Sequence, residues 1–302
     1  MSDLDSAGAS ANPVPTTAML GAIARDQSAA GNEADYPTCG GGVGSSSPAY
    51  VYVIGSITQR FPQLSIEKEF AQRIAQEETT GLTHQQAMRK ALMRRENRYL
   101  ARQLCWVMTV QGLETYILVP RDPADIELLI EAMRAVPEPS DIDVAIGARG
   151  PLAPPTFCNG LTVPVVAFDQ IYSFDADSLL ASISPTKKAE AEQFKAAAKE
   201  VLGGVIRMTD NAGAMDEHRA LNYLAVRYPG LYTTVAEAHA GNASLSAVEV
   251  RPSRLSGTRR IMEVILSFTH RMTGVVEKQS VGVDVTEEFP FLVTKMARYF
   301  DR

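Results

Sequence analysis

Apolar and polar residues alternate with a period of two in several segments of the first half of the chain. In "AYVYVIGSI", which starts at Ala49, large apolar residues alternate with smaller ones, as is typical of a β-strand. "CWVMTVQGLETYILVP" predicts a β-hairpin that turns at Gln111 and Gly112. Two further segments, "DIDVAIGARG" and "LTVPVVAFDQIYSF", predict strands, and Pro164 favours an edge or a bulge in the second.

Helical periodicity separates these strands. "LSIEKEFAQRIAQEE" repeats apolar residues every four positions and predicts a helix. Thr83 and Gln86 form a capping-box pattern, which predicts one long helix over "THQQAMRKALMRRENRYLARQL". Asp122 followed by Pro123 predicts the start of another helix in "RDPADIELLIEAMRAV".

The second half of the chain changes from helical period to strand period. Asp175 is the predicted N-cap of a short helix, and longer helices are predicted in "PTKKAEAEQFKAAAKEVLGGVIRM", "DNAGAMDEHRALNYLAVRYP" and "GLYTTVAEAHAGN". The segments "SLSAVEVRP", "RRIMEVILSFTH" and "VVEKQSVGVDV" then alternate, and turn-rich residues separate them. They predict an antiparallel meander of three strands.

These elements predict an α+β fold, with helices packed on antiparallel hairpin and meander sheets. Residues 1–48 are rich in Ala, Gly, Ser and Pro, which predicts a disordered N-terminal arm. Residues 49–302 are predicted to form the folded domain, with two subdomains divided near residue 184 as the alternative organisation.

Composition disfavours some classes of partner. The 302 residues are 45% hydrophobic and carry a net charge of −6, which disfavours nucleic acid and anionic membranes because both attract positive surfaces. No secretory signal is recognisable, and the apolar runs are shorter than a membrane span. The three cysteines are far apart, so we expect reduced thiols and a cytoplasmic protein.

The common nucleotide-binding, protease and esterase motifs are absent from the sequence. The first candidate for chemistry is therefore the cluster Asp216 to Arg219. At about 100° per residue, Asp216 and Arg219 point away from the apolar stripe of the helix and can pair with each other. His218 lies on the shoulder of that stripe, where it is either a hydrogen-bonded structural residue or a site residue.

A second candidate combines His218 with Cys105 and Cys158. These residues could bind zinc or form a thiol–imidazole nucleophile, although a buried, inert thiol is the alternative. No other cofactor is expected. Asp169 interrupts an apolar strand, so it is either a candidate catalytic carboxylate or a member of a salt bridge.

A third candidate is the basic turn in "VEVRPSRLSGTRR". It contains Arg251, Arg254, Arg259 and Arg260, whose guanidinium groups could bind a carboxylate or an acidic peptide. A solvated hairpin turn is the alternative.

The sequence also resembles a known family. The strings "YVYVIGSITQRFPQLSIEKEFAQ", "ENRYLARQLCWVMTVQGLETYIL", "RDPADIELLIEAMR", "CNGLTVPVVAFDQIYSFD", "DNAGAMDEHRALNYLAVRYP", "VEVRPSRLSGTRRI" and "VTEEFPFLVTK" resemble, in this order, the C-terminal domain of the cyanobactin maturation proteases of patellamide-type pathways. The resemblance runs from about Ala49 to Arg302. In that family the domain follows a subtilisin-like protease, and it has no established catalytic residues. This sequence departs from the family because the protease is missing and a short arm replaces it, so we expect a free-standing copy.

The resemblance implies a pathway and not a reaction. It favours an accessory, non-catalytic protein in the biosynthesis of ribosomally synthesised, post-translationally modified peptides. Such a protein would bind a precursor peptide or a modifying enzyme or protease. The alternative is an uncharacterised peptide-modifying or hydrolytic enzyme that uses His218 with a cysteine or aspartate partner. A homodimer is a further possibility that the sequence leaves open.

Overall fold

Five strands close into a barrel in the first part of the domain. The computed structural model describes residues 49–76, 81–183, 188–208, 210–254 and 256–300, so the predicted arm and the predicted division near residue 184 lie outside the described residues. The barrel strands are β1 (Tyr50–Arg60), β2 (Cys105–Val110), β3 (Leu113–Pro120), β4 (Asp141–Leu152) and β5 (Pro164–Asp175).

The barrel order is β1-β2-β3-β5-β4, and β4 pairs with β1 to close it. All pairs are antiparallel except β3 with β5, which is parallel. With a helix between β3 and β4, this order is the arrangement of an OB-type Greek-key barrel. The predicted β2–β3 hairpin is confirmed, and Gln111 and Gly112 both have positive φ angles, 51° and 82°, as its tight turn requires.

Short helices pack on the barrel between its strands. They are α1 (Leu64–Ala75), α2 (His84–Met93), α3 (Arg98–Gln103) and α4 (Ile126–Ala132). The capping box of Thr83 and Gln86 is confirmed at the start of α2. The prediction of one long helix after it was wrong, because the helix ends at its C-cap Arg94, which is extended with a ψ of 131°, and α3 begins at Arg98. There the buried Asn97 side chain donates a hydrogen bond to the Ala91 carbonyl oxygen, at 2.9 Å.

Four helices and a second sheet follow the barrel in the described residues. The helices are α5 (Ala176–Ile183), α6 (Lys188–Ile206), α7 (Asp216–Arg227) and α8 (Pro229–Ala240). The strands are β6 (Ala243–Pro252), β7 (Ile261–His270), β8 (Val276–Asp284) and β9 (Phe291–Tyr299). They pair consecutively as an antiparallel meander. The meander therefore has four strands and not the predicted three, since "FLVTKMARY" forms β9.

The two halves of the domain share strand β1. Val51 and Val53 contribute to the core inside the barrel, whereas Tyr52 and Ile54 face outward into a second core. This second core lies between the barrel wall, helices α5 to α8 and the inner face of the meander. Side chains that alternate between the two faces of β1 thus contribute to two cores. The predicted α+β class is confirmed. Within the described residues, no helix combines the length and the apolar character needed to cross a membrane.

Candidate functional site

A tight crossing of two backbone segments sets the position of helix α7. The backbone N–H of Tyr52 donates to the Gly213 carbonyl oxygen at 2.9 Å. Gly213 has a φ of +69°, and a Cβ atom built on it would lie 2.2 Å from the Tyr52 carbonyl oxygen. Only glycine fits this crossing, because both the backbone angle and the available space exclude a side chain. The loop before α7 is therefore fixed against β1.

Two buried asparagines anchor α7 to the same strand. Asn211 donates to the Asn222 side-chain oxygen at 2.7 Å, and Asn222 donates to the Asn211 side-chain oxygen at 3.1 Å. Asn222 also donates to the Tyr52 carbonyl oxygen at 2.8 Å, and Asn211 donates to the Val205 carbonyl oxygen at 3.3 Å. Both amide groups thus satisfy their donors inside the protein, which fixes the rotation of α7 on the barrel.

Arg219 is the largest fully buried side chain of the described residues, with 1% exposure. Its guanidinium donates to the Val285 carbonyl oxygen at 2.6 Å, to the Glu288 carbonyl oxygen at 3.3 Å and to the Glu287 carbonyl oxygen. The prediction that Arg219 points away from the buried face was wrong. The meander packs over that side of α7, and burial lowers the pKa of Arg219. Arg219 therefore holds residues 285–288, which we call the 285–288 loop.

Asp216 lies between two guanidinium groups. Its carboxylate is 3.2 Å from Arg219, which confirms the predicted pair along the helix, and 3.2 Å from Arg260. Arg260 also donates to the Thr286 carbonyl oxygen, and its backbone N–H donates to the Thr286 hydroxyl, both at 2.8 Å. Arg260 consequently joins the start of α7 to the 285–288 loop.

His218 is buried on the shoulder of α7, where its place in the helix predicts it. Burial lowers its pKa, while the nearby Glu217 and Asp210 carboxylates raise it less. A neutral imidazole is therefore favoured at physiological pH. Its role as a site residue stays a prediction.

The two candidate cysteines pair with each other. Cys105 and Cys158 form a disulfide with their Cα atoms 5.8 Å apart, and both residues are buried. The expectation of reduced thiols was wrong for this pair, because the fold brings together residues 53 positions apart. In the disulfide neither sulfur is a thiolate, the form that zinc binding or nucleophilic attack needs. Within the part of the chain that the structure describes, no three His, Cys, Asp or Glu side chains are placed to hold a metal.

Asp169 belongs to a charged triad that the sequence did not reveal. Its carboxylate is 2.8 Å from the Arg121 guanidinium. Asp169 is therefore a member of a salt bridge, which was one of the two roles predicted for it. The Glu288 carboxylate contacts the same Arg121 nitrogen at 3.3 Å. Burial, followed by a hydrogen bond with Asp169, raises the pKa of Glu288 to about 7. Arg121 follows β3 and Glu288 follows β8, so no local pattern could place them beside Asp169.

The four arginines of the basic turn do not converge on one point. Arg251 pairs with Glu263 at 3.1 Å and lies over the Tyr299 ring, 5.2 Å from its centroid. Arg259 pairs with the buried Asp284 at 3.1 Å and lies 5.5 Å from the centroid of the Phe291 ring. Arg254 is exposed, and within the described residues its side chain makes no hydrogen bond or ion pair.

Arg259 and Arg260 line a groove between the start of α7 and the turn that joins β6 to β7. Its volume is about 490 Å³. We call it the arginine groove, and its lining residues include Met215, Asp216, Glu217, Arg259, Arg260 and Met262. The Met215 side chain is more than half exposed there. The groove therefore presents charged groups beside apolar surface, a combination that suits a peptide. Sequence reasoning identified its arginines but missed Met215, which no motif signals.

Comparison with known proteins places this arrangement in context. Residues 188–299 match the protein family described as PatG C-terminal. Among solved structures, the chain is similar to one named "PatG Domain of Unknown Function", with a TM-score of 0.68 and 20% sequence identity. The likeness covers 83% of this chain and 99% of that chain, and at this identity it shows the fold alone. No curated protein matches the sequence. Together the two matches confirm the resemblance to the patellamide-type C-terminal domain.

Proposed function

We propose that this protein is a non-catalytic accessory protein in the biosynthesis of ribosomally synthesised, post-translationally modified peptides. It binds a precursor peptide or a peptide-modifying enzyme or protease of the pathway, and neither nucleic acid nor a membrane is its partner. The match to the PatG C-terminal family supports a patellamide-type pathway. The peptide-binding role rests on the geometry of the arginine groove.

The charge of the groove region favours an acidic peptide. Two arginines, Arg259 and Arg260, and two carboxylates, Asp216 and Glu217, line the groove, and the exposed Arg254 lies just outside this lining. Arg254 supplies the excess positive charge on the same turn as Arg259. A carboxylate of a bound peptide would complete the pairing, while Met215 and Met262 offer apolar contact to a neighbouring side chain.

Calorimetric titration with a synthetic cyanobactin-type precursor peptide tests this proposal. We expect measurable binding by the unmodified protein, and binding weaker by about tenfold for Arg254→Glu, since reversal of one partly screened charge is worth about 1.4 kcal/mol. The same peptide with Asn and Gln in place of its acidic residues should also bind more weakly.

Arg271→Glu is the matched control. Arg271 is likewise exposed on a hairpin turn, but that turn lies at the opposite end of β7. Equal weakening by the two variants would show that only net charge matters. If neither the precursor peptide nor any pathway enzyme binds, the proposed function is wrong.

The alternative is a peptide-modifying or hydrolytic enzyme that uses His218 with Cys105, Cys158 or Asp169. This alternative has less support than the binding role, because Cys105 and Cys158 are bonded to each other and Asp169 forms a salt bridge with Arg121. Mass spectrometry of the precursor peptide after incubation with the protein tests this alternative. A change in peptide mass that requires the protein would favour the enzyme.

Three related expectations stay predictions. Metal analysis of the purified protein tests for zinc, and light scattering tests for a homodimer. The composition favours the cytoplasm, whereas a disulfide favours an oxidising compartment. Cell fractionation tests the compartment directly.

A further inference from the structure

The Asp169–Glu288 pair joins the barrel to the loop that follows the meander strand β8. Asp169 lies on β5 and Arg121 directly follows β3, so both belong to the barrel. Glu288 ends the 285–288 loop, and its side chain is only 12% exposed. Two carboxylates therefore share one guanidinium across the junction between the barrel and this loop.

The charges that face Glu288 do not balance when both carboxylates are ionised. Arg121 contacts the Glu288 carboxylate from the barrel, and Asp169 lies beside it on β5. Arg219, from α7, contacts the backbone carbonyl of Glu288 and pairs with Asp216. One negative charge thus remains in excess beside a largely buried group. A proton shared by the two carboxylates removes that excess and lets them hydrogen-bond.

The 285–288 loop also contacts a residue that lines the arginine groove. Arg219 holds the loop from helix α7, because it donates to the carbonyl oxygens of Val285, Glu287 and Glu288. Arg260 donates to both oxygen atoms of Thr286 in the middle of the loop. Arg260 also lines the groove, so its guanidinium position depends on the loop.

We propose that the Asp169–Glu288 pair is a proton-operated latch that fixes the 285–288 loop and, through Arg260, controls the arginine groove. This proposal deepens the proposed function and rests on it where the groove is concerned. With one proton bound from solvent, the pair is hydrogen-bonded and the loop is held on the barrel. When that proton leaves, the two carboxylates repel each other, the loop loosens and Arg260 loses its fixed partner at Thr286.

The raised pKa of Glu288, about 7, places this change near neutral pH. Amide hydrogen exchange followed by mass spectrometry can report it without any ligand. We compare protection factors, each corrected for the intrinsic exchange rate, at pH 5.5 and at pH 8. Peptides that contain residues 285–289 should lose protection at the higher pH, by about tenfold or more, while peptides from the barrel core should not.

Three variants isolate the cause. Glu288→Gln and Asp169→Asn each remove the excess charge but keep a hydrogen-bonding side chain, so the loop should stay protected at both pH values. Glu287→Gln changes an exposed neighbour and should keep the pH dependence. Equal loop protection at both pH values in the unmodified protein, or persistent pH dependence in Glu288→Gln, overturns the latch.

A peptide titration at the same two pH values separates the latch from the proposed function. We expect the affinity for the synthetic precursor peptide to change with pH in the unmodified protein and not in Glu288→Gln. If the exchange result holds and no peptide binds, the latch stands and the proposed function fails. If the peptide binds with the same affinity at both pH values although the protection of the loop changes, the proposal that the loop controls the groove is wrong.

Discussion

The Arg219 guanidinium lies 3.2 Å from the Asp216 carboxylate, one helical turn away, yet it is almost completely buried. The pair forms within helix α7, whereas the burial of Arg219 results from the packing of the meander over the helix. Breaking this pair in Arg219→Met should lower the free energy of unfolding by about 3 kcal/mol, because three backbone carbonyl groups lose their donor. Chemical denaturation measures the change.

Two controls accompany this prediction. Arg219→Lys should recover little stability, since one ammonium group cannot span the carboxylate and the separate carbonyl oxygens. Arg227→Met alters an exposed arginine in the last turn of the same helix. Arg227 lies over the Tyr172 ring, so the effect on the free energy of unfolding should stay below about 1 kcal/mol. Equal losses in the two methionine variants would contradict the assigned role of Arg219.

Glycine substitutions should separate a required position from a tolerant one. Gly213→Ala should destabilise the protein by about 3 kcal/mol or more, because its Cβ atom would overlap the Tyr52 carbonyl group at a positive φ. Gly204→Ala in α6 meets no atom within 4 Å and should stabilise the protein by about 0.5–1 kcal/mol through helix propensity. Thermal unfolding of both variants checks the prediction, and a neutral Gly213→Ala would show that the crossing with β1 is not tight.

The Cys105–Cys158 disulfide should be visible in thiol labelling. Of the three cysteines, only Cys39 should react in unfolded, unreduced protein, and all three should react after reduction. Because the bond closes a segment of more than 50 residues, reduction should lower the free energy of unfolding by up to about 4 kcal/mol. A Cys39→Ser variant should be as stable as the unmodified protein, and it should show no reactive thiol before reduction. Three reactive thiols before reduction would show that the pair is open in solution.

His218 should make stability depend on pH in acid solution. Its folded-state pKa lies below the ordinary value of 6.5, so the unfolded chain binds a proton more readily. The free energy of unfolding should therefore fall as the pH drops below 6.5. In His218→Asn this contribution disappears. Chemical denaturation of the unmodified protein and of His218→Asn from pH 5 to pH 8 gives the difference between their free energies of unfolding. Glu288 contributes with the opposite sign, but equally in both proteins, so its contribution cancels from this difference. A difference that does not vary with pH would contradict the burial of a titrating imidazole.

Local signals in the sequence predicted the local structure well. The capping box of Thr83 and Gln86 and the hairpin turn at Gln111 and Gly112 were both predictable, because every atom involved lies within a few residues. The boundary between α2 and α3 was not predictable. The helix ends at its C-cap Arg94 and the nearby Asn97 is buried, and burial depends on what packs around the helix.

The candidate site was predictable only in part. His218 and the arginines of the basic turn were identified because their residue types are distinctive. The partners of Asp169 were missed, since Arg121 precedes it by 48 positions and Glu288 follows it by 119. The sequence distance between such groups carries no information about the distance between them in the fold.

The sequence by itself determined the element types, the α+β class and the family resemblance, because periodicity, caps and turns are properties of neighbouring residues. The tertiary structure alone decided which charges meet. It closed the barrel through the β1–β4 pair, joined Cys105 to Cys158 and buried Arg219 under the meander. These outcomes depend on long-range packing, where a side chain finds its partner only after distant strands and helices share a core.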